Sequence, residues 1–345
     1  LKGRSLLATT DLTQIELLAL IETALAQKQG KLPYGTPLAG KTAALLFFDP
    51  SLRTRLSMAT AVHRLGGQPL VVDAQQGLWK LETETGVVMD QDKVEHVRDA
   101  APVLSLYADL IAIRSFPRFR SLAEDLEEPM LASFAPYAKS PVVNLESALH
   151  HPCQALADML TIRETFGGFR KRRAVLAWAW HPKALPMAVP NSFALATAQC
   201  GMDLTIACPP SHMLPEPLMA RIRAEAAESG ARLEVSHDLD AACAGADVVY
   251  AKSWSSAVHY GNPEAEAMAK AGLRDWIIDE RRVPAGGSAH FMHCLPVRRN
   301  VEVSDAVIEG PRSLTLREAE NRLHAQMTLL SAIFGGLPAC SAPYC

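Results

Sequence analysis

The sequence predicts an α/β protein built from two doubly wound parallel sheets. Three features lead there. Short apolar, β-branched runs recur along the chain, helical stretches separate them, and the runs fall into two sets divided near residues 147–150. Runs that stay apolar throughout suit parallel strands whose two faces are both covered by helices.

The elements follow in order. Residues 1–25 predict a capped amphipathic helix, with Thr10 and Asp11 ahead of leucines and isoleucines at helical spacing. The first set of strands covers 42–48 (TAALLFF), 68–74 (QPLVVDA), 109–115 (DLIAIRS) and 140–146 (SPVVNLE). The second covers 173–180 (RAVLAWAW), 203–209 (DLTIACP), 232–237 (RLEVSH), 246–253 (ADVVYAKS) and 289–296 (AHFMHCLP). A long amphipathic helix is expected at 316–335, and the tail GGLPACSAPYC reads as frayed.

Composition narrows the function classes. The 345 residues suit roughly two domains. With 37 acidic against 34 basic residues, net charge suggests neither a nucleic-acid partner nor an anionic membrane. No apolar run is long enough to span a bilayer, and Asp11, Gln14 and Glu16 interrupt the N-terminal one. Seven cysteines, an odd number without paired spacing, fit reduced thiols. The expectation is a soluble, cytoplasmic protein.

Ligands of doubly wound sheets bind beyond the carboxyl ends of the strands, and the polar clusters of this chain follow its predicted strands. The most telling is Asp49-Pro50-Ser51-Leu52-Arg53-Thr54-Arg55. Here an apolar strand ends and a helix opens with two arginines in its first turn. Cations at a helix start oppose the macrodipole unless an anion binds there. Free backbone N–H groups, two hydroxyls and a guanidinium together make a phosphate cradle. Solvated arginines beside an ordinary N-cap are the plainer alternative.

This segment resembles the Ser-x-Arg-Thr-Arg signature of the aspartate and ornithine carbamoyltransferase family. Two further signatures occur in the family's order, His151-Pro152-Cys153-Gln154 and His293-Cys294-Leu295-Pro296. The resemblance covers nearly the whole chain. It implies a carbamoyl-phosphate-binding domain at 1–148, an acceptor-binding domain at 149–315, and a helix at 316–335 returning to the first domain. It also implies that Ser51, Leu52, Arg53, Thr54 and Arg55 hold the phosphate. Thr54, Arg114 and His151 would polarise the carbonyl, and Gln154 with the backbone carbonyls of Cys294 and Leu295 would take the amide. Arg322 and Trp79 would add contacts, Trp79 from the neighbouring subunit of a homotrimer. No metal or cofactor is implied.

The acceptor is read from departures. Ornithine members carry an Asp followed by Ser-Met-Gly, whereas this chain has Ala251-Lys252-Ser253-Trp254-Ser255-Ser256. That resembles the N-acylornithine branch, as does the proline-rich stretch 181–192, which takes part in a backbone knot there. An acylated α-nitrogen has no charge for an aspartate to meet, and a lysine suits a carboxylate. Glu146, Lys252 and Arg298 would line the acceptor pocket. Val94 stands where acetyl types have glutamate and succinyl types proline, and Glu302 where acetyl types have lysine. The surrounding strings look closest to the succinyl type. The expected activity is carbamoyl transfer to N-succinylornithine in arginine biosynthesis, with N-acetylornithine as the alternative. A non-catalytic relative that only binds carbamoyl phosphate is the reading from another class.

Overall fold

The structure, a computed structural model, describes residues 1–74 and 77–336. Of the tail expected to fray, Gly335 still belongs to the last helix, Gly336 follows it, and residues 337–345 lie outside the described residues. The chain divides into two compact units. The first holds Leu1–Arg118, Ala123–Cys153 and the chain from Arg322 onward; the second holds Phe119–Leu122 and Gln154–Asn321.

In the first unit, helix α1 (Gln14–Lys28) is followed by β1 (Thr42–Phe47), α2 (Leu52–Arg64) and β2 (Gln68–Asp73). A two-residue parallel pair, β3 (Leu81–Glu82) with β4 (Glu95–His96), precedes α3 (Val97–Tyr107) and β5 (Leu110–Arg114). Short helices α4 (Leu122–Leu126) and α5 (Pro129–Phe134) lead to β6 (Val142–Glu146). The sheet is parallel in the order β2-β1-β5-β6. Its inner strands β1 and β5 are apolar where they are buried, apart from Arg114 at the end of β5: Leu46, Ile111 and Ile113 pack with Val142 of β6 and Phe134 from α5. Each such side chain contributes roughly 1.5–3 kcal/mol on burial. β2 is the edge, which is where Pro69, lacking an N–H, can sit. At the other edge Leu6 bridges Val143, so an extended N-terminal segment covers β6.

The second unit begins within α6 (Pro152–Phe166) and continues through β7 (Arg173–Trp178), α7 (Ala188–Gln199), β8 (Asp203–Ala207) and α8 (Glu216–Ser229). After β9 (Leu233–Ser236) come α9 (Leu239–Cys243), β10 (Val248–Lys252), α10 (Pro263–Lys270), β11 (His290–Met292) and α11 (Asp305–Ile308). Helix α12 (Thr315–Gly335) runs from this unit into the first. The sheet is again parallel, in the order β11-β10-β7-β8-β9. The two doubly wound parallel sheets expected from the sequence are therefore present. Among the described residues no helix is long and apolar enough to cross a membrane.

The start of α1 corrects the sequence reading. The cap is Thr13, not Thr10 or Asp11, which lie in a 3-10 turn at Thr9–Asp11. Thr13 and Glu16 form a reciprocal capping box, a better local solution than a cap three residues earlier. The β3–β4 pair escaped sequence reading because two-residue strands carry no periodic signal.

Each sheet reverses its winding direction once. In the first, β1 has β2 on one side and β5 on the other; in the second, β7 lies between β8 and β10. Crevices for ligands open at such switch points. Arg114 and the segment after Phe47 sit at the first, and Lys252 and the segment after Trp178 at the second.

Candidate active site

The first unit places most of the predicted phosphate ligands at the start of α2. Ser51 is the N-cap, and its Oγ accepts the N–H of Thr54 at 3.2 Å. No acidic residue stands in this first turn, so the helix N-terminus is uncompensated. Arg322, from the first half of α12, is buried and donates to Thr54 Oγ1 at 3.3 Å. Arg53 is half-buried beside them. Arg55 is differently placed from the other ligands: it pairs with Asp73 at the end of β2, 2.6 Å away, and stacks over Phe47.

A second cluster lies where β5 and β6 end. Register slips by one residue there, pairing Arg114 with Glu146, whose φ of 154° lies outside the ordinary strand range. Arg114 Nη1 donates to Glu146 Oε2, and His151 Nε2 is 3.5 Å from the same oxygen. Glu146, expected to serve the acceptor, thus joins the predicted carbonyl-polarising residues. Burial pushes the His151 imidazole well below its usual pKa, and Arg322 and Arg114 add to that. The ring is neutral at pH 7 and can donate only one hydrogen bond. Arg114 Nε has no hydrogen-bond partner among the described residues. Cys153, two residues on, is a buried thiol pushed up to about 12 by burial, which removes it as a nucleophile.

Trp79 and Val94 flank the β3–β4 pair. Trp79 is 56% exposed, with its indole N–H on Glu95, and Val94 is 69% exposed. Neither packs into the core of its own unit.

In the second unit a buried network surrounds the His293 turn. Gln154 Nε2 donates to Asp158 Oδ1 at 2.6 Å and to Glu318 Oε1 at 2.9 Å, which orients its amide. Glu318 Oε2 accepts the His293 N–H, and His293 Nδ1 accepts the Leu295 N–H at 2.8 Å. Leu295 takes a left-handed φ of 54°, so the backbone at Cys294–Leu295 is held in an uncommon shape. The remaining His293 nitrogen lies 3.6 Å from Glu302.

Glu302 links this turn to the predicted acceptor residues. It accepts the Arg298 N–H at 2.8 Å, and Arg298 Nε donates to His181 Nε2 at 2.9 Å. Burial would raise its carboxyl, but His293, Lys252 and the Arg298 N–H outweigh that and hold it at about 2. Burial lowers His181, aided by Arg298 and Lys252. Sequence reasoning gave no role to Asp73, His181, Asp158 or Glu318. Only Asp73 and His181 had a signal: Asp73 ends strand β2, and His181 lies just past β7 at a switch point. Among the described residues no three His, Cys, Asp or Glu side chains group as metal ligands.

Comparison with known proteins gives the family. Residues 4–164 match the aspartate/ornithine carbamoyltransferase carbamoyl-P binding domain, and residues 185–333 match the Asp/Orn binding domain of the same family. The N-acetylornithine carbamoyltransferase of Xanthomonas campestris pv. campestris is 44% identical over 332 residues, 95% of this chain and 97% of that one. The N-succinylornithine carbamoyltransferase of Bacteroides thetaiotaomicron is 40% identical over 297 residues, 86% of this chain and 88% of that one. A solved glutamate-to-valine variant of N-acetyl-L-ornithine transcarbamylase, complexed with carbamyl phosphate and N-succinyl-L-norvaline, superposes with a TM-score of 0.91. It is 43% identical and covers 96% of this chain and 99% of its own. This chain belongs to the aspartate/ornithine carbamoyltransferase family, within its N-acylornithine branch.

Proposed function

We propose that this enzyme transfers the carbamoyl group of carbamoyl phosphate to the δ-amine of N-succinylornithine, giving N-succinylcitrulline and phosphate. The observation that carries the donor half is the start of α2, where hydroxyls and arginines meet an uncompensated helix N-terminus. Ser51, Leu52, Arg53 and Thr54 hold the phosphate there, and Arg55 assists to the extent that it leaves Asp73.

The neutral δ-amine attacks the carbonyl carbon, and the carbonyl electrons move onto oxygen. Thr54, Arg114 and the neutral His151 ring donate to that oxyanion, each donor being worth about 3–4 kcal/mol of barrier in sites of this kind. The C–O bond to phosphate then breaks. The departing phosphate takes the amine proton, so the amine's carbamoylation and the leaving group's protonation balance. Gln154 and the Cys294–Leu295 turn receive the carbamoyl amide.

Similarity alone does not choose the acyl group, because the acetyl and succinyl relatives are 44% and 40% identical. Val94 supports succinyl: it removes a negative charge that would face the succinyl carboxylate. The solved glutamate-to-valine variant holding a succinyl ligand supports the same reading. Lys252 and Arg298 supply the cations for the acceptor's carboxylates. The acetyl reading is kept by the Xanthomonas relative. A colour assay for ureido product with carbamoyl phosphate and ornithine, N-acetylornithine or N-succinylornithine decides between them. The succinyl substrate should have the highest kcat/KM, and Val94→Glu should shift preference towards acetyl through like-charge repulsion. A wild type that prefers N-acetylornithine would overturn the acyl assignment only.

The working form is a homotrimer in which Trp79 serves the neighbouring copy. Leu52 and Leu56 on α2, and Leu70 and Val71 on edge strand β2, are exposed apolar side chains suited to burial against a second copy. Light scattering that gives a monomer at assay concentration would remove this part.

A further inference from the structure

The turn between β6 and α6 bears two residues of the proposed site, Glu146 before it and His151 after it. One acidic side chain outside that site holds the turn. Glu128 occupies the N-cap position of α5, where an acidic side chain ordinarily accepts an N–H of its own helix. It caps nothing there, and its backbone is left-handed at φ 49°, a conformation that glycine and asparagine favour and glutamate seldom adopts. Its Oε1 instead accepts Ser147 Oγ–H and the Leu149 N–H, the latter at 2.9 Å.

From Ser147 the bonds run on. Its oxygen accepts Asn144 Nδ2 at 2.8 Å and the His150 N–H at 3.1 Å. Asn144 and Ser147 are buried, and Asn144 Oδ1 accepts the Glu146 N–H at 2.9 Å. One carboxylate is therefore linked, through a hydroxyl and a carboxamide, to the backbone of Glu146. Through Leu149 and His150 it also reaches the residues that lead into His151.

We propose that Glu128 is a positioning residue for carbamoyl transfer: through Ser147 and Asn144 it fixes the turn that sets Glu146 and His151 against Arg114. It touches neither substrate, and it acts on the transition state more than on phosphate binding, because the start of α2 lies outside its network. This inference rests on the carbamoyl-transfer reading given above. Small displacements of a donor carry large rate effects, with a shift of an ångström costing up to about a hundredfold.

The test is steady-state kinetics on the full chain with carbamoyl phosphate and N-succinylornithine. Glu128→Ala should lower kcat about tenfold to a hundredfold while the KM for carbamoyl phosphate stays within about twofold. Glu128→Gln, which keeps an oxygen at the same reach, should recover most of the loss. In parallel, the His151 ring resonances should move in Glu128→Ala and return in Glu128→Gln. Wild-type kcat in a folded Glu128→Ala, or equal damage in Glu128→Gln and Glu128→Ala, would overturn the proposal. If Glu128→Ala does not fold at the assay temperature, Ser147→Ala decides by the same split between kcat and KM. A wild type that makes no ureido product refutes the carbamoyl-transfer reading instead, and the ring resonances then still report whether Glu128 holds the turn.

Discussion

Thr13 at the start of α1 and Ser51 at the start of α2 accept the same hydrogen bond, from the N–H three residues on, at 3.2 Å in both. What surrounds the two caps differs in sign. At α1 the third helical residue is Glu16, whose carboxylate returns to the Thr13 N–H at 3.0 Å and complements the dipole. At α2 that position is Thr54, Arg53 precedes it, and Arg322 arrives from α12. The first start completes itself. The second is left positive, which suits an anion. The start of α6 is of the second kind, with no acid in its first turn and His151 just ahead of it. The starts of α5 and α7 also lack an acid, so the omission alone does not mark a site; at α2 and α6 it coincides with the residues proposed for the chemistry.

The largest effect that bears on this contrast is expected at α6. His151→Ala should lower turnover about a hundredfold to a thousandfold, the range for losing one oxyanion donor. Carbamoyl phosphate affinity should change little, since the oxyanion exists only in the transition state. Turnover at the wild-type level would put α6 with α1, as a start of structural meaning only.

Next comes Arg53→Ala. A charge-assisted hydrogen bond contributes about 1.5–3 kcal/mol, so carbamoyl phosphate should bind roughly ten- to a hundredfold more weakly in calorimetric titration. The same variant sharpens the comparison in phosphate-free buffer. Removing a cation from a helix start should leave thermal stability equal or slightly higher, whereas removing an acid from α1 should lower it. Unchanged affinity would mean that Arg53 does not hold the phosphate.

How legible each part was follows from how local it is. The proposed cradle occupies consecutive residues, so Ser51, Arg53 and Thr54 could be read together from the string. The parallel strands were equally plain, because burial on both faces writes itself as unbroken apolar runs. The pairing of Arg114 with Glu146 depends on a one-residue slip between β5 and β6, which no string shows. Arg55 is expected at the phosphate, and its ion pair with Asp73 at the end of another strand is visible only in the folded chain. Glu302 drew notice only as a departure from relatives. Its tie to Arg298 and His293 required the folded chain.

A smaller effect is expected from pH. Burial, Arg322 and Arg114 lower the folded pKa of His151, while an unfolded histidine titrates near 6.5. Below about pH 6.5 the unfolded chain takes up a proton that folded His151 refuses. The stability tied to the neutral ring is therefore present above pH 6.5 and is lost as pH falls towards the folded pKa. Urea unfolding of the wild type and of His151→Asn should show their difference shrinking by up to about 1.4 kcal/mol per pH unit in that window. A difference that is flat between pH 7.5 and 5.5 would contradict a depressed pKa.

The smallest effect closes the comparison where it began. Thr13→Ala removes the hydroxyl that accepts the Glu16 N–H and should cost about 1 kcal/mol of stability, the usual value of such a cap. The loss is confined to α1, whose start carries no proposed substrate contact, so kcat and the KM for carbamoyl phosphate should stay at wild-type levels. Ser51→Ala removes a cap of the same geometry and should cost a similar amount in phosphate-free buffer. There the likeness ends. Ser51 also lends its hydroxyl to the proposed cradle, so saturating phosphate should stabilise the wild type more than Ser51→Ala, while Thr13→Ala should gain as much from phosphate as the wild type does. Thermal unfolding of the three proteins with and without phosphate measures this. Equal phosphate gains in all three would mean that both caps serve only to close their helices, and that the positive start of α2 binds its anion without the serine.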